Sequence, residues 1–215
     1  REQPAAKSFD RNPVLGTRLT FQPGEPANSF IDDSSEFPNV INARAFNIWP
    51  GFAQPAKSGD LSALFDVFAA LERANDKKSV RAFRNWWAWP IARPKQAKIK
   101  HAVLLLSPET GIGKTLLAEV LSKVYHRLCV TMLEASDLHE PFNYWAKDRQ
   151  FIIANEATPY RNDADRLKAT ITETTMRLNL KNAPIYEIDN RFNLIFTTNK
   201  GLHIDEDDRR FLICL

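Results

Sequence analysis

Only two cysteines occur in 215 residues, Cys129 and Cys214, and no metal-ligand spacing links them. Both lie in apolar surroundings, so they read as small core residues of a reducing compartment rather than a disulfide framework. No apolar run approaches the ~18 residues that a membrane-spanning helix needs, which excludes a membrane partner from the reading. The chain opens on Arg1 without the charged and apolar regions of a secretory signal, and a cytoplasmic setting is expected. Charge of one sign is also scarce. The net charge of +3 is too small to argue nucleic-acid binding by itself, so any such claim needs a local site. No internal repeat or low-complexity tract is evident. Hydrophobic residues at 44% and charged residues at 26% are ordinary globular values, and the length leaves room for one good-sized domain with an appendage.

What is present is concentrated in Ser107-Pro-Glu-Thr-Gly-Ile-Gly-Lys-Thr115. This stretch directly follows the apolar run 101–106 and precedes the helix-like run 116–124. Strand, loop ending Gly-Lys-Thr, then helix is the context in which a phosphate-loop pattern acquires a mechanism. Gly111 and Gly113 let the backbone curl so that successive N–H groups point at phosphate oxygens, and the new helix adds its positive end. Lys114 can reach the β- and γ-phosphates, and the Thr115 hydroxyl can ligate Mg²⁺. The expected cofactors are therefore ATP and Mg²⁺, held by Thr110, Gly111, Ile112, Gly113, Lys114, Thr115 and Leu116. Pro108 replaces the first glycine of the usual pattern, so that corner must need neither a positive φ nor a donor. The bland alternative, a chance Gly-Lys-Thr in a surface turn, is disfavoured by the flanking strand and helix.

Three segments are expected. Residues 1–58 hold more than half of the thirteen prolines and read as an extended N-terminal arm, with short strand-like pieces such as 18–21. Residues 59–96 read as a small helical segment. One helix covers 61–71 with Asp60 as N-cap, and a second covers 79–92 with Pro90 and Pro94 marking its end. Phe83, Trp86, Trp87 and Trp89 on that second helix read as core anchors in preference to base-stacking platforms. Residues 97–215 form an α/β core with a mostly parallel five-stranded sheet. Its strands are expected at 101–106, 128–133, 150–155, 192–198 and 211–215. Helices are expected at 114–126 and 162–175, with a short one near 140–147. Residues 176–188 alternate on both sides of Lys181-Asn-Ala-Pro184, which predicts a projecting β-hairpin.

Three further signals follow the loop. The buried strand 150–155 delivers Asn155 and Glu156 to the carboxyl edge, which faces the ligand crevice in open α/β sheets. Glu156 can polarise the water that attacks a γ-phosphate. Asn155 stands where an acid would hold the Mg²⁺ shell, and it supplies an acceptor without charge. Thr115, Asn155 and Glu156 are thus the candidate metal residues. The strand 192–198 ends in Asn199, an amide able to sense the γ-phosphate, against the alternative of a turn-forming Asn-Lys-Gly. Asp205-Glu-Asp-Asp-Arg-Arg-Phe211 reads either as a solvated charge run or as a source of a transition-state arginine, Arg209 or Arg210.

The succession of the phosphate loop, Asn155-Glu156, the Lys181 hairpin, Asn199 and Asp208-Arg-Arg-Phe211 resembles a superfamily 3 helicase. Within that group it is most similar to the helicase domain of phage and plasmid primase-helicases. Thr20-Phe-Gln-Pro-Gly24, Phe46-Asn-Ile-Trp-Pro-Gly-Phe52, Trp86-Trp-Ala-Trp89 and Phe142-Asn143 share in the likeness, which covers roughly residues 18–215. The resemblance implies an AAA+-type ATPase core and a homo-oligomeric ring, usually a hexamer, moving along single-stranded DNA. It further implies an attached primase or polymerase domain in a longer protein, acting in a bacterial host cell or encoded by a virus. By the same resemblance Lys114, Glu156, Asn199 and Arg209 or Arg210 are catalytic, and Lys181 with Asn182 contacts DNA. The basic stretch 93–100 is the competing DNA surface. The rival function is a nucleotide-gated DNA-binding or assembly module with little hydrolysis, which Asn155 keeps open. A defence or packaging NTPase on the same core is a third reading.

Overall fold

The computed structural model describes residues 18–32, 34–36, 43–96, 98–156, 164–200 and 208–214. They belong to two compact units, Arg1–Gly51 and Phe52–Leu215.

The first unit contains β1 (Arg18–Thr20), β2 (Ser29–Asp32) and β3 (Arg44–Asn47), joined in the order β1-β3-β2. β1 runs parallel to β3, and β2 antiparallel. This corrects the expectation of an extended arm. Strands of three or four residues are too short to announce themselves by alternation, and a buried side chain supplies much of the cohesion. Asn47 Oδ1 accepts from Gln22 N at 2.9 Å and Trp49 N at 3.1 Å. Its Nδ2 donates to the carbonyls of Gln22 at 3.0 Å and Pro26 at 3.1 Å. One amide therefore satisfies four backbone groups, a long-range role that no local pattern reveals.

In the second unit, α1 (Ser62–Ala74) and α2 (Lys77–Ala92) precede the core. Asp60 lies one residue before the N-cap Leu61, yet its carboxylate still accepts from Ser62 N at 2.8 Å. α2 starts earlier than the tryptophan pattern suggests because Asp76 caps it, accepting from Ser79 N at 2.9 Å. Pro90 does not end this helix. It sits in the last turn, where one carbonyl loses its donor while Arg93 N still bonds Trp89 O at 2.9 Å. Trp86 and Trp87 are anchors whose indoles donate to His101 O at 2.7 Å and Leu121 O at 3.1 Å. Trp89 departs from the core reading. It is exposed, with the Arg93 guanidinium 4.2 Å from its ring centroid.

The core sheet comprises β4 (Ala102–Leu106), β5 (Val130–Glu134), β6 (Phe151–Asn155), β9 (Asn193–Thr198) and β10 (Phe211–Cys214). All neighbours are parallel, in the order β10-β4-β9-β6-β5. Strict alternation divides the strands between two cores. Val103, Leu105, Phe151, Ile153 and Ile195 pack with Phe83, Trp86, Leu121 and Tyr125. Ala102, Leu104, Ile152, Ala154, Leu194 and Phe196 pack on the other face with Ile171 and Phe192. Burial on both faces is why these strands read as continuous apolar runs. The two clusters make a layered α/β fold, with α3 (Lys114–Ser122) contributing to the first and α4 (Ala164–Thr172) to the second. The expected helix near 140–147 is instead a single 3₁₀ turn at Tyr144–Ala146, preceded by another at Ala135–Leu138.

The predicted hairpin is present as β7 (Thr175–Leu178) antiparallel to β8 (Tyr186–Asp189). Asn143 fastens its base: Nδ2 donates to Arg177 O at 2.8 Å and Oδ1 accepts from Asn179 N at 2.7 Å. No described helix is long and apolar enough to cross a membrane.

Candidate functional site

The loop between β4 and α3 bends through two glycines in the left-handed region, Gly111 at φ +73° and Gly113 at φ +95°. A Cβ at either would meet open space, so the requirement for glycine there is the backbone angle alone. Pro108 keeps a negative φ, which is how the loop accommodates a proline. Gly113 is also the N-cap of α3, and its carbonyl accepts from Leu117 N at 2.8 Å. The loop thus empties into a helix whose first residues are Lys114 and Thr115, and the positive end of that helix faces the loop. Lys114 lies back across the loop, donating from Nζ to Glu109 O at 2.9 Å and Ser107 O at 3.3 Å. Thr110, Ile112 and Leu116 are exposed around the same bend.

Sheet register brings the other polar residues to this point. Asn155 pairs with Thr197 across β6 and β9, and Thr197 pairs with Leu105 across β9 and β4. Thr197 Oγ1 donates to Asn155 Oδ1 at 3.0 Å, and Thr115 Oγ1 stands 3.4 Å from the same oxygen. The two hydroxyls are 3.5 Å apart. Thr197 was absent from the sequence reading. The signal lay in Thr-Thr-Asn at a strand end, where alternation places Thr197 and Asn199 on the same side.

Glu156 follows immediately, exposed, with φ +49°. A non-glycine residue in that region costs roughly 1–2 kcal/mol, and such outliers concentrate where a side chain must be aimed. Asn199 Oδ1 is buried and has no hydrogen-bond partner among the described residues. A buried acceptor of that kind is a place where a donor is wanted. No three His, Cys, Asp or Glu side chains cluster as a metal site among the described residues. The oxygens that meet here are the hydroxyls of Thr115 and Thr197 and the amide of Asn155, with Glu156 next in the chain. Thr115, Asn155 and Glu156 offer hard oxygen donors of the kind that could hold Mg²⁺.

The two arginines are unequal. Arg210 Nη1 bonds Asp208 Oδ1 at 3.0 Å, and Arg210 N donates to the same oxygen at 3.0 Å. Arg209 is exposed, so it is the one presented to solvent. Residues 205–207 of the acidic run lie outside the described residues. Lys181 and Asn182 form the exposed turn of the hairpin, with Asn182 at φ +61°.

The basic stretch 93–100 is not a uniform charged surface. Lys98 Nζ turns inward and donates at 3.0 Å to each of Thr170 O, Asn190 Oδ1 and Phe192 O. Asn190 Nδ2 in turn bonds Thr170 O and Glu173 O, tying the end of α4 to the residue that follows Asp189. Burial pushes the Lys98 ammonium down to about 7. The unfolded chain keeps this proton to about 10.5, so between those values it binds more protons than the folded one. Stability attributable to Lys98 should therefore rise with pH from about 7 to 10.5. Urea unfolding of wild type and Lys98→Met across that range should show wild type gaining relative to the variant. Parallel pH profiles would contradict the lowered pKa and mean that the three acceptors keep Lys98 charged.

Comparison with known proteins supplies the context. Residues 105–210 match the model of a family of unknown function, DUF5906. A DNA primase-polymerase of Nitratiruptor phage NrS-1 is 27% identical over 143 residues, covering 63% of this chain. This chain spans only 20% of that protein. Apo structures of the NrS-1 C-terminal region superpose with TM-scores of 0.72 and 0.70, at 21% and 22% identity, over 91% of this chain and 46% of theirs. A further apo structure of that region gives 0.69 at 20% identity, over 98% of this chain and 52% of its own. At that identity the likeness establishes the fold alone, which is α/β, with a five-stranded parallel sheet and four α-helices among the described residues.

Proposed function

We propose that this chain is the ATP-hydrolysing, helicase-type core of a phage replication protein, working on single-stranded DNA. The observation that carries the reading is the convergence of Lys114, Thr115, Asn155, Thr197 and Glu156 at one carboxyl edge, beside a glycine-bent loop that opens a helix. The strand order supports an AAA+-type core, since β9 lies between the loop strand and the Glu156 strand and brings Asn199 next to both. The loop and helix end would seat the phosphates of Mg²⁺–ATP. Lys114 would exchange its loop carbonyls for the β- and γ-phosphates, Thr115 and Asn155 would hold the metal, and the Glu156 carboxylate would polarise the attacking water. That water would supply the donor that Asn199 Oδ1 lacks among the described residues. The similarity to a primase-polymerase supports a linked primase or polymerase domain, and to a replication role.

Arg209 completes the site of a neighbouring subunit in a ring, most simply a hexamer, while Arg210 is held by Asp208 within its own. Mixing inactive Glu156→Gln with inactive Arg209→Ala should restore part of the hydrolysis, because some interfaces then pair an intact site with an intact arginine. No rescue would place the arginine in its own subunit's site. The hairpin turn at Lys181 and Asn182 contacts the DNA backbone. Lys181→Ala should lower DNA-stimulated hydrolysis while leaving the basal rate intact, and DNA binding should weaken steeply with salt. Unchanged stimulation would remove the hairpin from the DNA path.

One observation favours the rival, a nucleotide-gated DNA-binding or assembly module. The Asn155 amide supplies no charge, and its oxygen already accepts from Thr197.

A further inference from the structure

Next to the loop runs a trough of about 820 Å³ whose walls are two apolar rows. Ile112, Leu116 and Val120 recur at four-residue spacing, the last two on α3, and each is more than half exposed. Facing them, Leu64, Val67 and Leu71 recur at three- and four-residue spacing on α1. Leu105, Leu106 and Cys214 line it from the ends of β4 and β10. Gly113 and Lys114 form part of the lining, so the trough is continuous with the proposed phosphate seat. The size is that of a pocket for a drug-sized molecule rather than for a folded partner. Its length fits too: at 1.5 Å per residue, Val120 stands about 9 Å along the helix from Lys114, the reach of a ribose and a base.

The chemistry of the lining defines what it can recognise. Among the described residues only Asp60 and Lys114 contribute charged side chains, burial pushes the Cys214 thiol up to about 11 so that it stays neutral, and no hydroxyl or amide side chain lines it. Asp60 already accepts from Ser62 N at 2.8 Å, and Lys114 belongs to the phosphates. Hydrogen bonds to a base edge discriminate by several orders of magnitude, whereas apolar contact with a flat ring discriminates little. Resting on the reading of a nucleoside triphosphate at the loop, we infer that this trough seats the nucleobase by apolar contact, so that ATP and GTP are alike as substrates.

Isothermal titration with Mg²⁺–ATP, Mg²⁺–GTP and inorganic tripolyphosphate tests this, using wild type, Val120→Trp and Val67→Trp. Val120 and Val67 are exposed on opposite walls, so a larger ring fills the trough without entering the core. ATP and GTP should bind wild type within about fivefold of each other and more tightly than tripolyphosphate. Each tryptophan should weaken both nucleotides by about tenfold or more and leave tripolyphosphate within about twofold. A preference for ATP beyond about a hundredfold would overturn the inference. So would nucleotide affinity untouched by either variant while self-association changes, since the trough would then be covered by protein. Lys114-dependent tripolyphosphate binding with unaltered nucleotide affinity would refute the base seat and spare the phosphate seat. Failure of all three ligands to bind wild type would refute both.

Discussion

Lys114→Ala is expected to abolish detectable Mg²⁺–ATP binding, a loss of roughly a hundredfold or more. Among the described residues Nζ bonds only the carbonyls of Ser107 and Glu109, at 3.3 and 2.9 Å, so it can exchange those neutral acceptors for charged phosphate oxygens. The backbone N–H groups and the helix end would remain, but they carry only partial charge. The folded chain should tolerate the change, because those two carbonyls border an exposed loop that water can reach. Titration calorimetry beside a thermal melt separates the two effects. An unaltered affinity in a folded Lys114→Ala protein would remove the phosphates from the loop.

Glu156→Gln should keep ATP affinity within about twofold while lowering hydrolysis by roughly 10²–10⁴. Glutamine retains the shape and the strained φ of +49°, and removes only the carboxylate that polarises water. Asn155→Asp is its informative partner. A carboxylate there would sit beside Thr115 and Thr197, both able to donate to it, and would add charge to the metal shell. Half-maximal activity should then need less Mg²⁺. An unchanged Mg²⁺ requirement would mean that the charge is already supplied from elsewhere.

Much of this architecture was legible in the sequence. The five core strands lie within two residues of where apolar runs place them, because burial on both faces leaves little room for polar residues. The hairpin declared itself by alternation on either side of Lys181-Asn-Ala-Pro184. Lys114, Thr115, Asn155 and Glu156 were readable because a glycine-bent loop and two strand ends have local signatures. What escaped depends on contacts between distant residues. Asn47 holds a small sheet through residues 21 to 25 positions away. Lys98 looks like surface charge in a basic run, yet its partners lie 72 to 94 positions downstream. Thr197 belongs to the site only because β9 is inserted between β4 and β6, a fact of sheet order rather than of local pattern. Pro90 misled in the opposite direction, since a proline in a final helical turn removes one hydrogen bond without stopping the helix.

Phosphate release from Mg²⁺–ATP, measured with and without single-stranded DNA, tests the central claim most directly. A Lys114- and Glu156-dependent rate that rises when DNA is added is the expected result. A rate at background in both conditions, with ATP still bound, would contradict hydrolysis and leave the site a nucleotide-gated clamp.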